Sequence, residues 1–311
     1  DAKYQYHVSM DASRIIKGNI SSSYPSPNAF EFCSAINNLD FINADERGDT
    51  RYFCLFRGCD SLTNLTFNGE IIHNCFEGCP ALKSVTLTTV TNIDDYAFNG
   101  VSTLETINLG ELYYLSRIGK FSFGGCKSLK TVVIPAGVEE IVPGAFYNTG
   151  ITDLQVSQEN IVYSSNYEGV SGAIIKRYAS ESSPYPMIVQ GAKITKVTDS
   201  ESIFIIGEYS FAGIEYEEGS ILNLPRNTTT IEDYAFSNSK NCSVVIPSSL
   251  LYMGNKVFNG WKSNQSITIP SGITRQVGST DFLIAYWENK TWSLTPVYDE
   301  KFDFYSFCHL D

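Results

Sequence analysis

Apolar side chains recur at fixed offsets from a phenylalanine along much of this 311-residue chain. In the segment from Phe123 to Pro135, apolar or cysteine residues stand 3, 6, 9 and 11 positions after the phenylalanine. The same offsets follow four other phenylalanines: Phe30, Phe56, Phe76 and Phe98. A five-position pattern that recurs in this way predicts a chain of equivalent coils stacked on one another.

The phenylalanine anchors set the period of the repeat. The first six stand 26, 20, 22, 25 and 23 residues apart, and a period in the low twenties is that of a leucine-rich-repeat coil. The series resumes at Phe211. The positions that we expect to form a core ladder are Phe30, Cys33, Phe56, Cys59, Phe76, Cys79, Phe98, Phe123, Cys126, Phe146, Phe211, Phe236 and Phe258.

Each repeat ends in a short alternation of apolar and polar residues, as in Leu65-Thr-Phe67. Such alternation predicts a strand whose alternate side chains point inward. Strands of successive coils should pair in parallel along one face. The fold class predicted is therefore mainly β: a right-handed leucine-rich-repeat solenoid of about ten to eleven coils, capped at both ends.

The repeat is predicted to span residues 30–273, with a hairpin-containing interruption at 157–205. We interpret residues 1–29 as an N-terminal cap and residues 274–311 as an aromatic-rich C-terminal cap, because an uncovered solenoid end would expose its core. The tail carries Trp287 and Trp292, so an aromatic binding platform is the alternative interpretation.

Half of the eight cysteines share one repeat position, where Val101 and Trp261 also occur. A position filled by such different side chains is an apolar core position, so we expect buried, mainly reduced thiols there. Cys54 and Cys75 lie off this ladder on neighbouring coils and are candidates for a disulfide.

Net charge and hydropathy exclude several classes of partner. The net charge is −12 with no basic stripe, which argues against nucleic acid and anionic membranes. No apolar run approaches the roughly 20 residues of a membrane span. The chain begins without Met or a signal sequence, so we expect a signal or lipoprotein anchor to have been removed.

The sequence favours a protein that is not an enzyme. Only three histidines are present, no nucleophile or phosphate-binding motif occurs, and no cysteine–histidine spacing indicates a metal. No cofactor is predicted. Carboxylates scattered over turns leave an unrecognised enzyme or inhibitor site as a remaining hypothesis.

The outward strand positions are the candidate binding face, because a solenoid displays them as a regular array. They are small and mostly neutral: Asn38, Asp40, Asn64, Thr66, Ser84, Thr86, Thr106, Asn108, Thr131, Val133, Asp153 and Gln155. A merely solvated sheet face is the alternative interpretation. The tripeptide Arg47-Gly48-Asp49 in an enlarged repeat is a second candidate, as an integrin-type adhesion motif.

The repeat resembles the BspA-type, or Treponema pallidum type, leucine-rich repeat. Its unit, roughly I-x-x-x-A-F-x-x-C-x-x-L-x-x-I-x-I-P, is matched by Ile93 to Phe98, Ile231 to Phe236 and Cys126 to Pro135. The resemblance implies a secreted or surface-anchored protein associated with adhesion, from a family frequent in Bacteroidetes. It supplies no catalytic residues.

The first functional hypothesis is therefore a non-enzymatic cell-surface or secreted protein that binds a host extracellular or cell-surface protein. The alternative is a glycan-capture module of a bacterial polysaccharide-uptake system, with the aromatic tail as its platform.

Overall fold

The computed structural model describes residues 56–68, 74–178, 184–198, 201–202, 204–262 and 265–268, and the backbone of 5–10, 14–19, 38–42 and 291–293. The chain divides into two compact units, Asp1–Ile161 and Val162–Asp311. Both are built mainly from parallel strands of successive coils, so the predicted mainly-β solenoid is confirmed. About nine coils are stacked in the described part of the chain.

The first unit contains these strands: β1 (Gln5–Met10), β2 (Arg14–Asn19), β3 (Asn38–Ile42), β4 (Asn64–Asn68), β5 (Ser84–Leu87), β6 (Asn92–Ile93), β7 (Thr106–Ile107), β8 (Arg117–Ile118), β9 (Thr131–Ile134), β10 (Glu140–Ile141) and β11 (Asp153–Val156). A 3-10 turn, Leu109–Glu111, lies between β7 and β8.

The strands that end each repeat form the main ladder of this unit. Strands β3, β4, β5 and β7 pair in parallel and in register, and β9 pairs in parallel with β11. At the N-terminal edge, the antiparallel hairpin β1–β2 joins β3 through His7 and Ile42. Burial alternates along the strands, as in β5, where Val85 and Leu87 are buried and Thr86 is exposed.

A second, narrower ladder runs along another side of the coils. It consists of β6, β8 and β10, which pair in parallel through two residues each. Their isoleucines Ile93, Ile118 and Ile141 are all buried. The narrow ladder thus joins three successive coils on a second side.

The phenylalanine anchors form a stacked column inside each unit. From Phe56 to Phe146 each ring lies 5.3–5.5 Å from the next, centroid to centroid, with interplanar angles of 5–9°. Phe211, Phe236 and Phe258 form a similar column in the second unit. Phe30 and Cys33 of the predicted core ladder lie outside the described residues. The others are all buried.

Left-handed backbone brackets every described anchor after Phe56. The residue two positions before the anchor has positive φ, as Tyr96 does at 59° before Phe98. The residue two positions after each anchor, Phe56 included, has positive φ and is always Gly or Asn, such as Gly100 at 76° and Asn148 at 54°. These residue types adopt that conformation at least cost, which accounts for their recurrence.

The second unit contains these strands: β12 (Tyr163–Tyr167), β13 (Val170–Lys176), β14 (Met187–Gln190), β15 (Lys196–Val197), β16 (Phe204–Ile206), β17 (Glu215–Asn223), β18 (Thr228–Ile231), β19 (Lys240–Val245), β20 (Tyr252–Met253), β21 (Ser266–Thr268) and β22 (Thr291–Ser293).

This unit opens with a hairpin. Strands β12 and β13 are antiparallel around Glu168 and Gly169, both of which have positive φ. Strand β14 pairs antiparallel with β13 and then in parallel with β16, so it converts the hairpin into the coil ladder that continues through β18 and β20. Strands β17, β19 and β21 form the other parallel ladder, with β22 antiparallel at its edge.

The recurring cysteine position has a polar role as well as an apolar one. The Cys79 thiol donates a hydrogen bond to Phe56 O at 3.2 Å, and the Cys126 thiol donates to Phe98 O at 3.3 Å. Trp261 Nε1 donates to Phe236 O at 2.8 Å from the same repeat position. Cysteine and tryptophan at this position thus donate a hydrogen bond to the anchor carbonyl of the preceding coil, which a valine such as Val101 cannot do.

Burial raises the pKa of core thiols. Desolvation raises the pKa of Cys79, at the recurring position, to about 12 and that of Cys242, at another core position, to about 11. Cys75 is also buried, but Cys54 lies outside the described residues, so a bridge between them stays a prediction.

Candidate binding face

The predicted binding residues of the first unit form two rows along the main ladder. Strand register aligns Asn38, Asn64, Ser84 and Thr106 in one row, and Asp40, Thr66 and Thr86 in the other. On the separate β9–β11 pair, Asp153 lies beside Thr131 and Gln155 beside Val133. We call these residues, together with Asn108, the strand face; of Asn38 and Asp40 only the backbone is described.

No described side chain of the strand face is buried, whereas the strand residues between them face the core. Asn64, Thr86, Thr106, Thr131 and Gln155 are exposed and the others are half-buried. Neighbouring members contact one another: Thr106 Oγ1 donates to Ser84 Oγ at 3.2 Å, and Gln155 Nε2 donates to both carboxylate oxygens of Asp153. The face thus offers hydroxyl and amide groups suited to hydrogen bonding with a partner.

Asn108 is engaged within the protein. Its Nδ2 donates to Leu87 O at 2.9 Å, and its Oδ1 accepts from Leu87 N at 2.8 Å. A second contact runs from Nδ2 to Glu111 Oε2 at 3.3 Å. Although Asn108 was predicted as a binding residue, its amide serves the backbone of the preceding coil.

Val133 is also covered by its own protein. A Cβ atom on Gly110 would lie 2.9 Å from Val133 Cγ1, so the 3-10 turn approaches this valine closely. The ladder breaks at the same place, because the described residues of β7 and β9 do not pair. The strand face is therefore two shorter surfaces, separated by the turn, rather than the uninterrupted row expected from the repeat.

The segment just after the 3-10 turn carries two tyrosines that the repeat pattern did not single out. Tyr113 and Tyr114 are 76% and 69% exposed, and their ring centroids lie 5.3 Å apart at an interplanar angle of 87°. A signal was present in the sequence, since the 25 residues from Phe98 to Phe123 exceed the 20 and 22 residues of the two coils directly before. That excess is the inserted turn.

A charged cluster crosses three coils beside this turn. Arg117 contacts Asp94 at 2.7 Å, Asp95 at 3.2 Å and Glu140 at 2.9 Å. Burial opposes ionisation of the guanidinium, but the hydrogen bond with Asp95 and the charges of the three carboxylates outweigh it and raise the pKa of Arg117. The three acids thus connect β6, β8 and β10 through Arg117.

Several sequence candidates lie outside the described residues. These are Arg47, Gly48 and Asp49 and the tail around Trp287; at Trp292 only the backbone of β22 is described. The adhesion tripeptide and the aromatic platform therefore stay predictions.

The repeated coils match a known family of repeat proteins. The BspA type leucine rich repeat region matches residues 50–169 and 188–283 in six copies, which is more than half of the chain. The chain belongs to the BspA-type leucine-rich-repeat family. The resemblance inferred from the repeat is thereby confirmed, and the interval between the two matched segments contains β13.

Solved structures of bacterial leucine-rich-repeat proteins are similar to the chain at low identity. A leucine-rich repeat protein from Eubacterium ventriosum is 15% identical, with 78% of this chain and 68% of that one covered at a TM-score of 0.46. A leucine rich cell surface protein from Faecalibacterium prausnitzii is 16% identical, with coverage of 88% and 89% and a TM-score of 0.32. The pneumococcal vaccine antigen PcpA is 13% identical, with coverage of 89% and 86% and a TM-score of 0.38. No curated protein matches the chain.

Membrane-spanning helices and metal-binding groups are both absent from the described residues. None of their helices is both long and apolar enough to span a membrane. Their His, Cys, Asp and Glu side chains do not come together in any group of three or more that could hold a metal ion.

Proposed function

We propose that this BspA-type chain is a non-enzymatic binding protein of the bacterial cell surface or its surroundings. It acts as an adhesin that engages a host extracellular or cell-surface protein through the strand face. The main support is the pair of outward rows that the main ladder repeats from coil to coil at exposed or half-buried positions. Such arrays are the surfaces that repeat proteins use for recognition.

The composition of the strand face fits a protein partner of moderate affinity. Its hydroxyl and amide groups can bond to a partner's backbone and side chains, but large aromatic anchors are absent from its described members. Membership of the family, and the fact that the Faecalibacterium structure is that of a cell surface protein, are in keeping with exposure on a bacterium. An origin in Bacteroidetes belongs to the same proposal.

The test is capture of host matrix proteins by the purified chain, followed by biolayer interferometry with each captured protein. Thr86→Arg and Thr106→Arg place bulky charges on exposed positions of the face. Each should weaken binding at least tenfold, because a desolvated, misplaced charge is costly at an interface. Ser102→Arg is the matched control, since it is exposed on the turn between Val101 and Leu104 and should leave binding unchanged.

Equal binding by all three variants would place the partner elsewhere on the chain and overturn the assignment of the face. Binding to a glycan array with no captured protein would favour the glycan-capture alternative instead. A circular dichroism melt of each variant establishes that lost binding does not reflect lost folding.

A further inference from the structure

The most exposed aromatic surface in the described part of the first unit is the turn from Leu109 to Leu115, which we call the tyrosine turn. Leucines at every third position, Leu109, Leu112 and Leu115, are all buried. That spacing directs Tyr113 and Tyr114 away from the core, where they stay largely exposed. Large exposed aromatic groups of this kind are more characteristic of binding sites than of ordinary protein surface.

The tyrosine turn is held rigidly by the next coil. A Cβ atom on Gly137 would lie 2.7 Å from Tyr113 O, and one on Gly110 would lie 2.9 Å from Val133 Cγ1, so both glycines permit close approach. Backbone bonds from Glu111 N to Asn108 O at 3.1 Å and from Leu115 N to Leu112 O at 3.2 Å brace the turn internally. Little conformational entropy remains to be lost by its backbone on binding, as is typical of a preorganised anchor.

The surroundings of the tyrosine turn are acidic. Between strand and anchor in three successive coils, residues 88–97, 109–122 and 135–145 carry five carboxylates and two bases. The carboxylates belong to Asp94, Asp95, Glu111, Glu139 and Glu140, and the bases are Arg117 and Lys120. Arg117 already contacts three of these acids, so the balance of charge is clearly negative.

Glu139 reaches the tyrosine turn through the backbone. Both Glu139 N and Glu140 N donate to Ser116 O, at 2.8 and 3.1 Å, and Ser116 follows Tyr114 by two residues. Glu111 lies on the turn itself and is exposed, like Glu139. Two exposed acidic residues thus stand on backbone beside the tyrosines: Glu111 two residues before Tyr113, and Glu139 bonded through its amide to Ser116.

We propose that the tyrosine turn is the docking point for an arginine- and lysine-rich segment of a protein partner. The inference rests on the proposed function and specifies the chemistry of the partner. A guanidinium stacks on a tyrosine face by cation–π attraction, and its remaining donors pair with carboxylates such as Glu111. A neutral glycan could use the rings but not the surrounding charge, so charge complementarity selects the basic peptide.

The probe is a fluorescent synthetic peptide that alternates Arg and Gly, with a Lys–Gly peptide, a citrulline–Gly peptide and a neutral cello-oligosaccharide for comparison. Fluorescence polarisation measures the affinity at low and at near-physiological salt. The wild-type chain should bind the Arg peptide best, the Lys peptide less well and the two neutral ligands at least tenfold more weakly. The affinity for the Arg peptide should fall as salt rises.

The variants separate the aromatic contribution from the general negative charge of the chain. Tyr113→Ala with Tyr114→Ala should weaken the Arg peptide about tenfold at unchanged net charge, which is about 1.4 kcal/mol and fits two exposed cation–π contacts. Tyr113→Phe with Tyr114→Phe keeps the rings and should bind like the wild type. Glu111→Gln should weaken binding several-fold and reduce its salt dependence. Tyr178→Ala, at a site 61% exposed in the second unit, should change nothing.

Unchanged binding by the double alanine variant, or preference for the oligosaccharide, would overturn the inference. Neither result would touch the proposed function, which depends on captured host protein and on Thr86 and Thr106. Conversely, if no host protein is captured but the basic peptide binds through the two rings, the tyrosine turn stands and the strand-face adhesin does not.

Discussion

The side chain of Asn108 takes the place of a strand residue beside Leu87. One amide closes both backbone hydrogen bonds of the leucine, at 2.8 and 2.9 Å, where the strand pairing of β5 with β7 ends after Ile107. The main chain is thereby released to begin the 3-10 turn at Leu109 without leaving the end of β5 unsatisfied. The tyrosine turn can therefore leave the ladder because the side chain of Asn108 completes it.

Replacing Asn108 by Ala should lower the free energy of unfolding by about 1–3 kcal/mol, because two partly buried backbone groups lose their partners. Urea denaturation at neutral pH measures the loss. Thr86→Ala is the control, since Thr86 precedes Leu87 on the same strand and is exposed, and it should stay within about 0.5 kcal/mol of wild type. Equal effects of the two substitutions would show that the amide does not support the ladder.

Replacing Ser122 by Ala should stabilise the protein by about 1 kcal/mol. Ser122 is fully buried, and its hydroxyl has no hydrogen-bond partner in the described part of the chain. Removing a buried, unpaired polar atom relieves its desolvation cost. The equivalent residues of the adjacent coils, Ala97 and Ala145, show that the position accepts alanine.

The reverse substitution, Ala97→Ser, is the matched control and should destabilise the protein by a similar amount. Both changes are measured as shifts in the urea midpoint at constant slope. A Ser122→Ala variant less stable than wild type would mean that the hydroxyl makes a stabilising contact.

The repeat pattern was sufficient to predict the family and the stacked architecture, because anchors such as Phe98 and strand residues such as Val85 define each coil by burial alone. It could not predict the narrow ladder as strands, since two residues such as Arg117 and Ile118 carry too little periodicity.

The outward positions were harder to interpret for a related reason. Sequence alternation shows that Asn108 and Val133 point away from the core, but not whether another part of the chain covers them. In the structure, both side chains contact other parts of the protein: Asn108 bonds to the backbone of Leu87, and the turn at Gly110 lies against Val133. Contacts between an insertion and the next coil depend on three-dimensional placement, which the repeat period leaves undetermined. Tyr113 and Tyr114 became candidate binding residues only from the structure, because their exposure also depends on how the insertion is placed.

Alkaline conditions should destabilise the protein through its buried thiols. Burial raises the pKa of Cys79 from 9.0 to about 12, so the thiol of the unfolded chain ionises first as the pH rises. The stability contributed by the neutral buried form is complete below about pH 9 and is lost progressively between about pH 9 and 12. Cys242 acts in the same direction over a narrower range, up to about pH 11.

A Cys79→Val variant isolates this effect, because Val101 occupies the same repeat position in the next coil. The variant loses the bond to Phe56 O, so we expect it to be slightly less stable at pH 7. The difference from wild type should shrink or reverse by about pH 10.5, when urea midpoints are compared at both pH values. A difference that stays constant with pH would contradict the assignment.

The left-handed position two residues after each anchor phenylalanine should tolerate Asn and reject Val. Gly100 has a φ of 76°, and a Cβ added to it would meet nothing within 4 Å, so any cost of substitution there arises from the backbone alone. Asn adopts this conformation readily, as Asn148 does at the equivalent position, whereas a β-branched residue is strained in it. We expect Gly100→Asn to cost less than about 1 kcal/mol and Gly100→Val about 2 kcal/mol or more, from urea denaturation.

Asn148→Val should repeat the larger loss, and Asn148→Gly should be close to neutral. If Val and Asn proved equally costly at Gly100, left-handed backbone would not be what selects Gly and Asn at these turns, and an unrecognised contact of the next coil would have to be responsible.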